Sequence, residues 1–415
     1  MPPTAGAVLL LGSAFLLCGQ PAHDGGFTAR LLKNRYSISI QNGRLSGTGA
    51  VVLQAAIAQS RFILVGEEHG LAETSSFWRG VCHAAVPEGF HTMAIEEGPL
   101  VAAELERCVR QPDGQSQLVA FEKHYPESIN IYNTREEFGM LQECAGSAPG
   151  GFRLWGLNQE ALGAGGLILS RILDTQPRGP AVQALRHLLQ KNDDAYAKAL
   201  RTGKISDLFM ISADDKDLAA GAALLQTDGT PAARSLFASL IESHAINRAW
   251  PASAERRSRL MQTLFAADYA AAAKAEAAPP KVMLKFGSIH LYRGLNAVHF
   301  NAIGNYVAEF ANRQGAQSLH ICLMAVKGSE PIYPRFGQPA RLLPFNLKDD
   351  TGSSYMQPML ASMLQSGWTM FDLRPLRGTA SPDLAALISG MDILVIIPQA
   401  TPNHRLGKDL TEPRP

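Results

Sequence analysis

Seven largely apolar runs of four to eight residues punctuate the chain, at 62–65, 91–95, 152–157, 282–286, 319–326, 368–373 and 393–397. Runs of this length without polar alternation suit strands covered on both faces, which is the environment of a parallel sheet. Amphipathic stretches such as 73–85 and 100–110 separate several of them. Parallel neighbours need such crossovers, because each strand must return to the starting edge of the sheet. The predicted fold class is therefore α/β, a mainly parallel sheet with flanking helices.

Residues from about 160 to 278 break the rhythm. Helical spacing recurs in Ala181, Leu185, Leu188 and Leu189, and again in Leu236, Leu240 and Ile241. Pro177, Gly179-Pro180 and Gly229-Thr230-Pro231 punctuate the segment as helix boundaries. It reads as a large helical insertion between the third and fourth core strands, either packed on the sheet or closing over it as a lid. One α/β domain is expected over 27–400, followed by a polar tail over 401–415 that holds three prolines and ends in disorder.

The first 26 residues read as an export segment. The apolar run 7–18 is too short to span a bilayer but suits a signal-peptide core, and small or polar residues follow it. Two departures stand beside this reading. No Lys or Arg occurs in 1–7, and Leu17 precedes Cys18 where a lipid-anchored cysteine wants a small neighbour. A secreted or periplasmic protein is expected, with lipoprotein anchoring through Cys18 or a buried N-terminal helix as alternatives. Cys82, Cys108, Cys144 and Cys322 show no metal-knuckle spacing; their even number suits either disulfides or buried free thiols. A net charge of +1 with no basic cluster excludes a nucleic-acid footprint. No later stretch is long and apolar enough for a transmembrane helix. The expected partner is a small-molecule substrate, and nothing in these features specifies an oligomeric state.

Chemistry concentrates where the strands end. Gly66-Glu67-Glu68-His69-Gly70 follows the first strand and Gly287-Ser288-Ile289-His290 the fourth. Ligands of open α/β sheets bind outside the carboxyl ends of strands, so both histidines can share one crevice. Glu67 and His69, two residues apart, project to one side if the strand geometry persists, and a carboxylate there orients the imidazole as a base. The second strand delivers Glu96 and Glu97, of which alternation turns only one toward the site. The third ends at Asn158, and the fourth continues into Tyr292 and Arg293, donors for a carbonyl or anionic ligand. No Gly-x-Ser-x-Gly elbow, HExxH, Walker A or dinucleotide fingerprint occurs.

These pieces resemble the erythromycin-esterase-like/ChaN-like superfamily. The likeness runs over roughly residues 55 to 400, through 66–70, 89–96, 155–160, 285–296 and 303–306. It implies a hydrolase of an ester, lactone or related carbonyl bond. His69 would be the base, Glu67 and Glu96 its orienting carboxylates, and His290 the group that polarises the carbonyl. No cofactor is required by that reading. Related TIKI-type metalloproteases imply a divalent ion on His69, Glu96 and His290 instead, and ChaN-like members imply haem binding in iron uptake, the less favoured option. Asn158 departs from the aspartate of many relatives and removes a negative charge from the cleft. Arg135 and Arg257 correspond either to cleft arginines or to solvated surface charges.

Overall fold

The computed structural model describes residues 25–148, 150–296, 299–379 and 382–407. All seven expected strands form. In chain order the strands are β1 (Arg35–Gln41), β2 (Arg44–Ser46), β3 (Phe62–Glu67), β4 (Phe90–Ile95), β5 (Arg153–Gly156), β6 (Lys281–Gly287), β7 (Ser318–Ala325), β8 (Lys327–Ile332), β9 (Arg341–Asn346), β10 (Trp368–Asp372) and β11 (Ile393–Ile397). Nine of them make one sheet in the order β2-β1-β10-β11-β7-β3-β6-β4-β5. The six from β11 to β5 are parallel, and β10 pairs antiparallel with both β11 and β1.

The central strands are buried on both faces because their side chains feed two separate cores. Ile63 and Val65 pack with Phe77, Trp78 and Val81 of helix Ala72–Ala85. Phe62 and Leu64 pack on the other face with Ile303, Val307 and Ala311 of helix Ile303–Arg313. The connection leaving β3 thus crosses one face, and the connection leaving its neighbour β6 crosses the other. Adjacent parallel strands whose exits part in this way open a crevice at their carboxyl ends. His69 follows β3 and His290 follows β6, one on each side of it.

The helical insertion is present between β5 and β6, and it is two things at once. Ile168, Leu169, Leu185, Leu188, Phe237 and Leu240 form a core of its own. Its last helix, Ala254–Ala275, returns to the sheet, setting Met261, Phe265 and Tyr269 against Phe62 and Leu284. The hairpin β8–β9 leaves the end of β7 and reaches across to the insertion. There Phe336 meets Tyr196 edge-on at 5.6 Å and Arg335 donates to the Thr202 carbonyl at 3.1 Å.

Cys82 and Cys144 form a disulfide that joins helix Ala72–Ala85 to helix Arg135–Ser147. Their separation of 62 residues makes the link worth about 4 kcal/mol in unfolded-chain entropy. Cys108 and Cys322 are free and buried. The expected polar tail begins differently: residues 401–407 are packed, with Leu406 buried and the Thr401 amide donating to Glu73 at 2.8 Å. Residues 408–415 lie outside the described residues. So does the export segment, except Gly25 and Gly26, which open helix Gly25–Lys33. Among the described residues no helix is long and apolar enough to cross a membrane.

Candidate active site

The register of the sheet sets Glu67 of β3 beside Gly287 of β6. Gly66 can lie this close to the turn after β6 only without a side chain, since a Cβ there would sit 2.7 Å from the Ser288 Cα. Gly287 likewise makes room for the chemistry, because its Cβ would come within 3.1 Å of His69 Nε2 and 3.5 Å of Glu96 Oε2.

His69 stands between two carboxylates. Its Nδ1 lies 3.2 Å from Glu67 Oε1 and its Nε2 3.3 Å from Glu96 Oε2. Burial disfavours a charged ring, yet the hydrogen bonds and charges of Glu67 and Glu96 outweigh it and raise the His69 pKa to about 10. At neutral pH the ring is an imidazolium donating to both. Its side chain is 36% exposed, whereas Glu67 is fully enclosed and Glu96 is 7% exposed.

Glu96 is the hub. Oε2 accepts from the Gly287 amide at 2.7 Å, and Oε1 accepts from Arg257 Nη2 at 2.6 Å. Burial alone would raise its pKa, but His290, Arg257 and His69 hold it well below the usual carboxylate range. Glu97 turns the other way, as alternation requires. It accepts from the Asn130 and Ile131 amides at 2.8 and 2.7 Å, and burial pushes it up to about 8. Arg257 comes from the insertion and completes the cleft. Its Nε donates to Asn158 Oδ1 at 2.9 Å and to Gln159 Oε1 at 3.1 Å, while Nη1 meets His290 Nε2 at 3.2 Å. A guanidinium only donates, so His290 Nε2 is an acceptor and the proton sits on Nδ1, a buried donor without a partner. Burial depresses the His290 pKa to about 4, which keeps the ring neutral.

Behind His69 lies a layer that the sequence reading missed. Lys285, fully buried in β6, pairs with Glu67 and with Glu137 of helix Arg135–Ser147. Its ammonium also lies 5.3 Å from the centre of the Tyr132 ring. The available signal was a lone lysine inside the apolar run 282–286.

Erythromycin esterase EreC, solved as a histidine-to-asparagine variant in its open conformation, superposes over 90% of this chain and 100% of its own at TM-score 0.65 and 15% identity. The chain has the erythromycin esterase fold. A Bacillus cereus protein superposes at TM-score 0.59 over 94% of this chain and all of its own, at 15% identity. A succinoglycan biosynthesis protein does so at 0.54 over 93% of this chain and all of its own, at 14% identity. The haem-binding ChaN of Campylobacter jejuni reaches only 0.31 over 70% of this chain. No protein-family model matches the sequence, and no curated protein matches it.

Within the erythromycin esterase fold, the structure brings Glu67, His69, Glu96, Asn158 and His290 together with Arg257, the cleft arginine of the two that the sequence offered, and does not bring Tyr292, Arg293 or Arg135. Arg293 pairs with Asp392 and donates to the Ser318 carbonyl, at the starting ends of β11 and β7, the opposite edge of the sheet. The Tyr292 ring lies against Gly390 and the core beside it. The reason is the turn Ser288–His290, which ends the strand geometry so that the following residues leave the cleft. Arg135 is exposed at the start of its helix; the residue of that helix that reaches inward is Glu137.

The metal set His69, Glu96 and His290 does not fit a divalent ion. Arg257 already occupies the Glu96 oxygen and the His290 nitrogen that would face the ion, and both ring nitrogens of His69 are engaged by carboxylates. Among the described residues no group of three or more His, Cys, Asp or Glu is arranged to hold a metal.

Proposed function

We propose that this protein hydrolyses an ester, lactone or related carbonyl bond of a small molecule by direct attack of water. The observation that carries the reading is His69 clamped between two carboxylates as the one accessible group of the cluster. In its neutral form His69 takes the proton from water as that water adds to the carbonyl carbon. Glu67 holds the ring orientation and stabilises the imidazolium so formed. The tetrahedral oxyanion develops toward Arg257, whose fixed guanidinium gains more from a full negative charge than from a neutral carbonyl. His69 then returns the proton to the departing oxygen. His290, neutral and joined to Arg257, positions that guanidinium. The likeness of fold to erythromycin esterase supports the reaction class, and the substrate is left to experiment.

The test is hydrolysis of a panel of activated esters and lactones by wild type and by His69→Ala, each with and without chelator. Turnover that disappears in the variant and persists with chelator supports the proposal. Equal turnover in both proteins, or loss with chelator, defeats it. Export is proposed from the apolar run 7–18 together with the Cys82–Cys144 disulfide, which suits an oxidising compartment. Cell fractionation with N-terminal sequencing tests it, and a cytosolic protein retaining Met1 would count against export.

A further inference from the structure

Beneath the loop that joins β8 to β9 lies a cavity of 510 Å³, walled by Ile129, Leu162, Leu208, Tyr333, Phe336 and Arg335. None of Glu67, His69, Glu96, Arg257 or His290 lines it. Its walls nevertheless belong to the same machinery. Before the loop begins, β8 passes over Gly70, whose Cβ would meet the Pro331 ring at 3.3 Å. On the facing wall Asn130 holds Glu97, the residue after Glu96.

Two features say what such a cavity would take. Large apolar side chains stay exposed at its rim, with Tyr333 at 53% and Ile205 at 50%, and Leu200 at 47% lies beside Gly337 of the loop. Grouped exposed apolar residues mark binding surfaces more often than chance. The two arginines of the cavity differ in their partners. Arg405 is paired with both Glu122 and Glu127, whereas Arg335, exposed, meets only a backbone carbonyl and no carboxylate among the described residues. The volume lies in the range of sites for medium-sized organic ligands.

We propose that this cavity binds an amphipathic organic anion, its apolar body against Leu162, Leu208, Tyr333 and Phe336 and its anionic group at Arg335. Calling that molecule the non-reacting end of the substrate rests on the hydrolase reading; the binding itself does not.

Two measurements separate these claims. The fluorescent anion 8-anilinonaphthalene-1-sulfonate is titrated into the whole protein, into Ala340→Trp, which adds bulk at a residue lining the cavity, and into Arg335→Gln, which removes the arginine without a carboxylate partner. Binding should weaken by about tenfold or more in each variant. Undiminished binding in both variants, or no binding by wild type, overturns the site. The same proteins are then assayed on p-nitrophenyl acetate and on the mono-p-nitrophenyl ester of sebacic acid. KM for the sebacate ester should rise about tenfold in Ala340→Trp, with acetate turnover within about twofold of wild type. An unchanged KM ratio with both esters cleaved overturns the substrate role. If neither ester is cleaved while sulfonate binding depends on Ala340 and Arg335, the site stands and the hydrolase reading falls.

Discussion

Arg257 reaches out of the helical insertion and donates Nη2 to Glu96 at the end of β4, 2.6 Å away and 161 residues apart in sequence. This contact makes the insertion part of the site. Replacing Arg257 with Ala leaves the buried Glu96 without its closest cation. The expected result is a loss of about 3 kcal/mol in unfolding free energy and a fall of a hundredfold or more in kcat/KM, on the order expected for an oxyanion donor. Lys at this position restores part of the stability but not the fork that also holds Asn158 and His290. Denaturant melts and steady-state kinetics check both, and a stable, fully active Arg257→Ala would refute the role.

The His69 proton ties activity and stability to pH in opposite senses. Its pKa rises from 6.5 to about 10 on folding. The stabilisation from the clamped imidazolium is therefore complete below pH 6.5 and is lost as pH climbs through about 10. The base form needed for water activation grows about tenfold per pH unit over the same window. Melting temperatures of wild type and His69→Ala should converge from pH 7 to 10 while wild-type kcat/KM rises. Parallel melting curves with a flat rate profile would remove His69 as the base.

Lys285 tests the buried layer behind the histidine. Lys285→Met leaves Glu137 and Glu67 enclosed without their ammonium, and about 3–5 kcal/mol of stability should be lost. Adding Glu137→Gln should recover a large part of that loss, since Glu67 keeps His69 as a partner. Chemical denaturation of the single and double variants measures the coupling, and strict additivity would mean that the two side chains act independently.

Gly287→Ala is the gentlest probe of the cleft. The backbone there is at φ −54°, which any residue adopts, so the methyl group acts through its contacts in the cleft, the tightest being 3.1 Å to His69 Nε2 with Glu96 Oε2 next at 3.5 Å. Turnover should fall about tenfold through displacement of the ring, with the melting temperature nearly unchanged. A fully active variant would show that the ring position is not critical.

Most of the sheet was legible in the sequence because strands buried on both faces must be apolar along their whole length, and helix Ala72–Ala85 and helix Pro99–Val109 showed their own period. The strands not foreseen lie where that rule lapses. β2 is the sheet's edge with β1 next to it, and the β8–β9 hairpin leaves the sheet, so their side chains are partly exposed and carry no continuous apolar run.

The sequence by itself determined that Glu67, His69, Glu96, Asn158 and His290 follow strands of one parallel sheet, and parallel strands place their carboxyl ends together. Only the tertiary structure decided which other charges join them. Arg257 lies on a helix whose return to the sheet depends on packing of Phe265 and Tyr269 with Phe62, and Glu137 enters from a helix fastened to its neighbour by the Cys82–Cys144 disulfide. Tyr292 and Arg293 follow the same strand end in the chain, yet one turn after β6 sends them elsewhere. Local pattern reports which residues lie on an element and at its end. Coulombic partners of a buried charge are chosen by distance in space, and that is set by the packing of elements far apart in the chain.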